Sequence, residues 1–329
     1  MTTDVAVPRL RVGLIGCDRV GLHLIERSTI GGPFQIVAAC ADSCVGDLIT
    51  PFGVRLMSLQ EIAQSKDIDV FWMTSFWEFP FASSPFEAFQ GQHLIVEAPF
   101  TLSVHDAEQA FADATARRRL LLIHQPRRSD PEFQQALTVA RDEKIGAIRA
   151  AKFVHWIYGR PPCGVTRGVK LPLGDEYAEP HATKVRFVAH ALDQLVVLIP
   201  SRPIRVMATT DLGPDLFACD SLVLHIDFES GCQSEIDIRL DSPTPFQSGW
   251  ILTGERGGFA KGRQFTLTDE GEVFDSPVTP AGNDEEFTRL ARQIHSGVRD
   301  VEEELRGRSV VSILEAAQRS LVTSQSVTL

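Results

Sequence analysis

The sequence predicts an α/β protein: a doubly wound parallel sheet over residues 1–124, then an α+β half, residues 125–329, on an open, mostly antiparallel sheet with helices on one face. Three observations predict it. Short apolar runs alternate with helical patterns through the first half, as parallel strands joined by crossovers require. A glycine-bounded turn, Gly16-Cys17-Asp18-Arg19-Val20-Gly21, joins the first run to the first helix. After His124 the texture changes to extended, β-rich segments between long helices.

Val12–Ile15 is short and apolar enough for a buried strand. Leu22–Ser28 is amphipathic, and a second apolar run, Ile36–Cys40, ends at Asp42. Val54–Met57 reads as a short strand, and Ser58 with Glu61 three residues on makes a capping box for a helix to about Gln64. Asp69–Thr74 is the next buried strand. Pro85–Gln90 reads as a short helix with Ser84 as N-cap and Gly91 as its stop. His93–Val96 is a strand carrying Glu97-Ala98-Pro99 at its carboxyl end, Val104–Arg118 a helix and Leu120–Ile123 the closing strand.

In the second half Pro131–Glu143 reads as a helix and Ala147–His155 as a strand. The Gly/Pro-rich stretch Gly159–Pro180 is long enough to be a functional loop or cover. Val185–Leu198 is a strongly apolar helix. Arg205–Thr210, Ser221–Phe228, Cys232–Leu240 and Trp250–Thr253 are extended, with turns at Gly231 and Gly254–Gly258. Asp284–Ile294 and Val310–Ser320 are closing helices.

Composition narrows the function. At 43% hydrophobic residues the chain is globular. A net charge of -11 argues against a nucleic-acid partner, because phosphate contacts need a basic face. No basic start leads into an apolar core, and no apolar run approaches the roughly 20 residues of a membrane span, so neither a signal peptide nor a membrane partner is expected. Six cysteines lie scattered without paired spacing, which reads as reduced thiols in a cytoplasmic protein. His181, His190 and Asp193 lack a third ligand at fixed spacing, so no metal site is expected.

Strand, turn, helix and strand over residues 9–43 form the unit that holds a dinucleotide's pyrophosphate on a helix N-terminus, a Rossmann-type domain. Gly16, Asp18, Arg19, Val20 and Gly21 are the candidate phosphate contacts. The turn falls one residue short of G-x-G-x-x-G, because Asp18 stands where the second glycine belongs. A carboxylate about 4 Å from a phosphate charge costs roughly 4 kcal/mol at an effective dielectric near 20, about a thousandfold in affinity. Arg19 or a shifted loop could offset part of that. Alternatively Asp18 is the N-cap of the following helix and occupies the phosphate's place. Asp42 suits a ribose hydroxyl, which favours NAD over NADP, or else it ends the strand as a turn residue.

Across nearly its full length the chain resembles the Gfo/Idh/MocA oxidoreductases, the family of glucose–fructose oxidoreductase and inositol dehydrogenase. The resemblance is carried by GLIGCDRVG at Gly13–Gly21, VAACAD at Val37–Asp42, DIDVFWMTS at Asp67–Ser75 and HLIVEAP at His93–Pro99. RSDPEF at Arg128–Phe133, HALDQL at His190–Leu195, DSLVLHIDFESG at Asp220–Gly231 and EAAQRS at Glu315–Ser320 continue it. It implies NAD or NADP on the first domain, with Glu97 at the cofactor. It also implies a sugar or polyol-like substrate, and a homodimer or homotetramer through the C-terminal sheet. In the family a Lys in an E-K-P turn and an Asp and His in a D-x-x-x-H helix assist hydride transfer. Here the Lys position is Ala98 and the Asp position is Arg186, while His190 is kept and Asp193 follows one turn later, a candidate substrate contact with Arg128 and Arg186.

His190 is the one remaining candidate for proton transfer, because Ala98 has no titratable group and Arg186 stays charged. A histidine on an apolar helix is also often a core residue. If the family fold holds, Arg128, Arg186, His190 and Arg127 converge in one cleft and suit an anionic ligand such as a sugar acid. The competing expectation is that Arg186 pairs with Glu97 or Asp193. Trp72 reads as core, whereas Trp77 and Phe79 read as interface residues. Two functions follow: an oxidoreductase with impaired or altered catalysis, or a non-catalytic ligand-binding, regulatory or assembly protein on the same fold.

Overall fold

The computed structural model describes residues 9–17, 19–41, 46–74, 86, 89, 91–156, 180–211, 216, 221–239, 242, 247–268, 273–279 and 286–329. Asp18, Asp42, Trp77, Phe79, the stretch 159–179 and all of the expected helix at 85–90 except Phe86 and Phe89 lie outside them.

The first sheet has six parallel strands: β1 (Leu10–Ile15), β2 (Phe34–Cys40), β3 (Arg55–Leu56), β4 (Val70–Met73), β5 (His93–Glu97) and β6 (Leu121–His124). Their order is β3-β2-β1-β4-β5-β6. The chain therefore winds outward from β1 in both directions, and the order reverses between β1 and β4, the place where sheets of this kind receive their ligands. Every residue of β4 is buried, as its unbroken apolar run requires of a strand covered on both faces. Helices α1 (Arg19–Thr29), α2 (Gly46–Ile49), α3 (Leu59–Ala63) and α4 (Val104–Ala116) follow strands β1, β2, β3 and β5. Ser58 caps α3 with both bonds of the capping box: it accepts from the Glu61 amide, and its own amide donates to the Glu61 carboxylate.

The second sheet has nine strands. They are β7 (Ile148–Trp156), β8 (Pro203–Thr210), β9 (Ser221–Phe228), β10 (Gln233–Arg239), β11 (Gln247–Gly254), β12 (Gly257–Ala260), β13 (Arg263–Leu267), β14 (Val273–Pro277) and β15 (Val327–Thr328). Their order is β14-β13-β12-β11-β7-β10-β9-β8-β15. Every described pairing is antiparallel except β7 with β10. Helices α5 (Pro131–Arg141), α6 (Pro180–Leu198) and α8 (Val301–Thr323) share one apolar core with this sheet. The opposite face carries Lys152, Val154, Trp156 and Ile251, with Lys152 paired to Glu235 at 2.6 Å and Arg239 lying 4.8 Å over the Trp156 ring.

One expectation is extended and one changes. The chain does turn within 254–258, at Glu255 and Arg256 between the antiparallel strands β11 and β12, but Gly254 and Gly257 belong to the strands that flank the turn. A Cβ at Gly254 would strike the Ile145 carbonyl, and one at Gly257 the Phe265 carbonyl, so these glycines permit close backbone approach. The last helix begins at Val301, nine residues before its apolar pattern does, because Asp300 caps it and Glu302, Glu303 and Glu304 fill its first turn.

The chain also returns to its first sheet. Leu290, Ala291 and Ile294 of α7 (Glu286–Ser296) lie in the core around β1, β2 and β4. Gly307 of α8 passes close to Ile123 and Phe111.

Candidate active site

The site is assembled at the carboxyl ends of β4, β5 and β6. In the turn after β1, Gly16 has φ +81°, a left-handed conformation that suits glycine, and its amide donates to the Cys40 carbonyl at 2.9 Å. A Cβ at Gly21 would meet Leu14 Cδ2 at 3.1 Å and Cys17 Sγ at 3.4 Å, so α1 packs on β1 with no room to spare. Val20 is half-buried against the same core. The side chain of Arg19 lies outside the described residues, as does the whole of Asp18.

Glu97 closes β5 with 6% of its surface exposed. Its Oε1 accepts from Trp72 Nε1 at 2.8 Å and sits 2.8 Å from His124 Nδ1. Burial works against charging His124, but Glu97 outweighs it and raises the imidazole above its ordinary value. Trp72 is buried as expected, edge-on to His124, and Phe287 of α7 stacks on the other ring. Ala98 is buried in the apolar core of the second half.

Helix α6 brings Arg186, His190 and Asp193 to one side, as residues three and four apart must be. Arg186 Nη2 donates to the Thr74 carbonyl at 2.5 Å, which fastens α6 to the end of β4. Glu97 is held by Trp72 and His124, and Asp193 by Arg128, so both carboxylates proposed for Arg186 have other close partners. Arg128 spends its whole guanidinium inside the protein: Nε and Nη2 donate to Asp193, and Nη1 donates to both oxygens of Glu303 at 2.7 and 2.8 Å. Burial opposes its charge, but Asp193 and Glu303 raise it above the ordinary arginine value.

His190 is 8% exposed, and its Nδ1 lies 2.8 Å from Gln125 Oε1. Burial pushes its pKa well below the ordinary histidine value, and Arg127, His124, Arg186 and Arg128 push it further. Its neutral form is therefore the one present at neutral pH. Arg127 lies over the Phe187 ring, its Cζ 4.4 Å from the centre, and is 3.4 Å from Asp130. On the same Phe187 ring packs His155, at 4.1 Å, with its Nδ1 3.1 Å from Ser248 Oγ. Burial and Arg127 lower His155 to about 4. A cleft opens here, lined by Arg127, Phe187, Gln194, Ser248 and Trp250.

Arg127, Arg128, Arg186 and His190 thus do gather, with the roles divided: Arg127 is half-exposed at the cleft, while Arg128 and Asp193, expected at the substrate, occupy each other in a buried clamp. Sequence reasoning did not find Gln125, His124, Glu286 or Glu303. The first two adjoin an expected strand end and give no local signal, and the acids belong to helices read mainly for apolar periodicity. Among the described residues no group of three His, Cys, Asp or Glu side chains is placed to hold a metal ion. No described helix is long and apolar enough to cross a membrane.

No family model matches this sequence, and no curated protein matches it. Solved structures do. An NAD-binding protein from Listeria innocua superposes with a TM-score of 0.78 at 17% identity, over 98% of this chain and 100% of that one. GenD2 from gentamicin A biosynthesis, in complex with NAD, gives 0.74 at 21% identity, over 98% of this chain and 97% of that one. An oxidoreductase from Agrobacterium radiobacter, in complex with NAD+, L-tartaric acid and magnesium, gives 0.73 at 16% identity, over 97% of this chain and 98% of that one. The chain has the fold of these proteins.

Proposed function

We propose that the chain is a Gfo/Idh/MocA-type, NAD(P)-dependent oxidoreductase that acts on a hydroxyl of a sugar- or polyol-like substrate, with His190 as its proton carrier. The observation that carries this reading is the position of His190. It is buried, neutral and touching the end of β6, in a helix latched to the end of β4, where a sheet of this order opens its dinucleotide crevice. Gly16 and Gly21 fit a pyrophosphate turn, and Glu97 stands at the same edge. The nicotinamide would supply the hydride acceptor. The protein's part is to take the hydroxyl proton on His190 and orient the substrate on Arg127 and Arg186, with Arg128 and Asp193 holding the helix in place. An anionic sugar or hydroxy acid suits those guanidinium groups, and L-tartaric acid in the Agrobacterium radiobacter neighbour belongs to that class. Turnover is low in this reading, because Ala98 and Arg186 replace two proton-handling side chains. NAD is favoured over NADP by Asp42. The protein is taken to be cytoplasmic, and to form a homodimer or homotetramer on the face bearing Trp156 and Ile251, which light scattering would test.

A second reading is a catalytically silent binding or assembly protein. Arg186 favours it: where the family resemblance places a proton-handling acid, this side chain grips the Thr74 carbonyl. Calorimetric titration with NAD+, NADH, NADP+ and NADPH, beside an Asp18→Gly variant, separates the two. Micromolar binding by the unaltered chain is expected for the oxidoreductase. Binding gained only on Asp18→Gly would reject it in favour of the silent relative.

A further inference from the structure

We propose that Gln125 is the positioning residue for His190: its amide oxygen fixes the imidazole proton on Nδ1 and leaves Nε2 as the bare lone pair that receives a proton. The inference rests on reading His190 as the proton carrier. A carbonyl oxygen has only lone pairs, so across the 2.8 Å contact Nδ1 must donate. The ring is neutral, so one nitrogen carries a hydrogen and the other does not.

The amide can dictate this because its backbone is held on several sides. Gln125 is 3% exposed, and its own amide N–H donates to Glu286 Oε1 at 3.2 Å. Arg289 fixes that carboxylate with bonds of 2.7 and 2.8 Å. The carbonyl of Arg127 accepts from Gln194, and that of Arg128 accepts from Gln134. Both Gln125–His190 and Arg128–Asp193 span 65 residues. The turn Pro126–Ser129 is a 3₁₀ helix, so three residues there advance one turn, close to the three-residue step from His190 to Asp193 on α6. The ion pair therefore fixes the register in which the amide meets the imidazole.

An uncharged orienter also has a chemical consequence. A carboxylate at this place would set the same tautomer but would favour the imidazolium. The strongest charges on His190 are Arg127 and Arg128 from the turn, Arg186 from its own helix and His124 from β6, all disfavouring a proton; the acids nearby, Asp193 on the same helix and Glu286 at the Gln125 backbone, are paired with Arg128 and Arg289. Gln125 selects the tautomer without reversing that field.

The test is long-range proton–nitrogen NMR of the full chain, labelled with nitrogen-15, with no ligand added and with His190→Asn to identify the signal. The expected result is a protonated Nδ1 and an unprotonated Nε2 at pH 7 to 8. In Gln125→Leu the proton should move to Nε2 in most molecules. In Gln125→Glu it should stay on Nδ1, and the ring should titrate about 1–3 pH units higher. An Nε2–H form in the unaltered protein would overturn the proposal, as would an unmoved tautomer in a folded Gln125→Leu. If Gln125→Leu does not fold, Gln125→Glu decides, and an unshifted titration there overturns it. None of these readouts needs turnover. A chain that shows the expected tautomer but binds no dinucleotide would sink the oxidoreductase reading and leave the positioning role standing.

Discussion

Arg128 and Asp193 face each other through two parallel hydrogen bonds, Nε to Oδ2 at 2.6 Å and Nη2 to Oδ1 at 2.7 Å. The pair joins the turn after β6 to the middle of α6, and Glu303 of α8 closes on the same guanidinium. Removing one partner of a buried pair leaves an uncompensated charge and typically costs about 3–5 kcal/mol. Arg128→Met should lower stability by that order in urea unfolding, and adding Asp193→Leu should recover part of it. Equal stability for the single variant and the unaltered chain would show that the clamp carries nothing.

Glu97 and His124 give a pH dependence of definite sign. His124 is raised in the folded chain, so its contribution is complete below the unfolded value of about 6.5 and is lost as pH rises through the folded value. His93, His155 and His190 are lowered, so theirs is complete above about 6.5 and is lost as pH falls through the folded values. Glu97→Gln should flatten the alkaline limb of the urea midpoint between pH 6 and 9 and leave the acid limb in place. An alkaline limb that survives would assign it to another group.

The charge of Arg127 lowers two histidines, His155 and His190. Arg127→Gln should therefore move two titrations upward, those of His155 and His190, in an NMR pH series. Arg186→Gln should move that of His190 by less, because its influence there is the smaller of the two. If only one histidine moves with Arg127→Gln, the shared field is wrong.

Gly307 sits where α8 crosses the edge of the first sheet. A Cβ there would lie 2.5 Å from Ile123 Cδ1 and 3.5 Å from Phe111 Cζ. Gly307→Leu should overpack the seam and cost about 1–3 kcal/mol, although leucine is the better helix former by roughly 1 kcal/mol. A raised melting temperature would mean that the helix can move away without loss.

The sequence announces some of these features and hides others for physical reasons. Strands buried on both faces, such as β4 and β5, show themselves as unbroken apolar runs, and the Ser58 box is local chemistry within four residues. Gly254, Gly257 and Gly258 were ambiguous because a glycine that turns the chain and one that admits another backbone look alike. Helical spacing puts Arg186 and His190 on one face, but the approach of Arg127 to them was visible only through likeness to known proteins, since no spacing links it to a helix so much further along the chain. The bond from the Gln125 backbone N–H to the Glu286 carboxylate crosses 161 residues, and nothing local marks it.

The return of α7 to the first sheet bears on the order in which a ribosome delivers the chain. Leu290, Ala291 and Ile294 wall the core around Val12, Val70 and Trp72, yet they are synthesised more than 200 residues after Val70. A nascent chain that has just passed His124 holds six strands of a sheet with one flank bare. That apolar flank stays open to chaperones, or to another nascent chain, until the last helices emerge. The first sheet is made early and finished late.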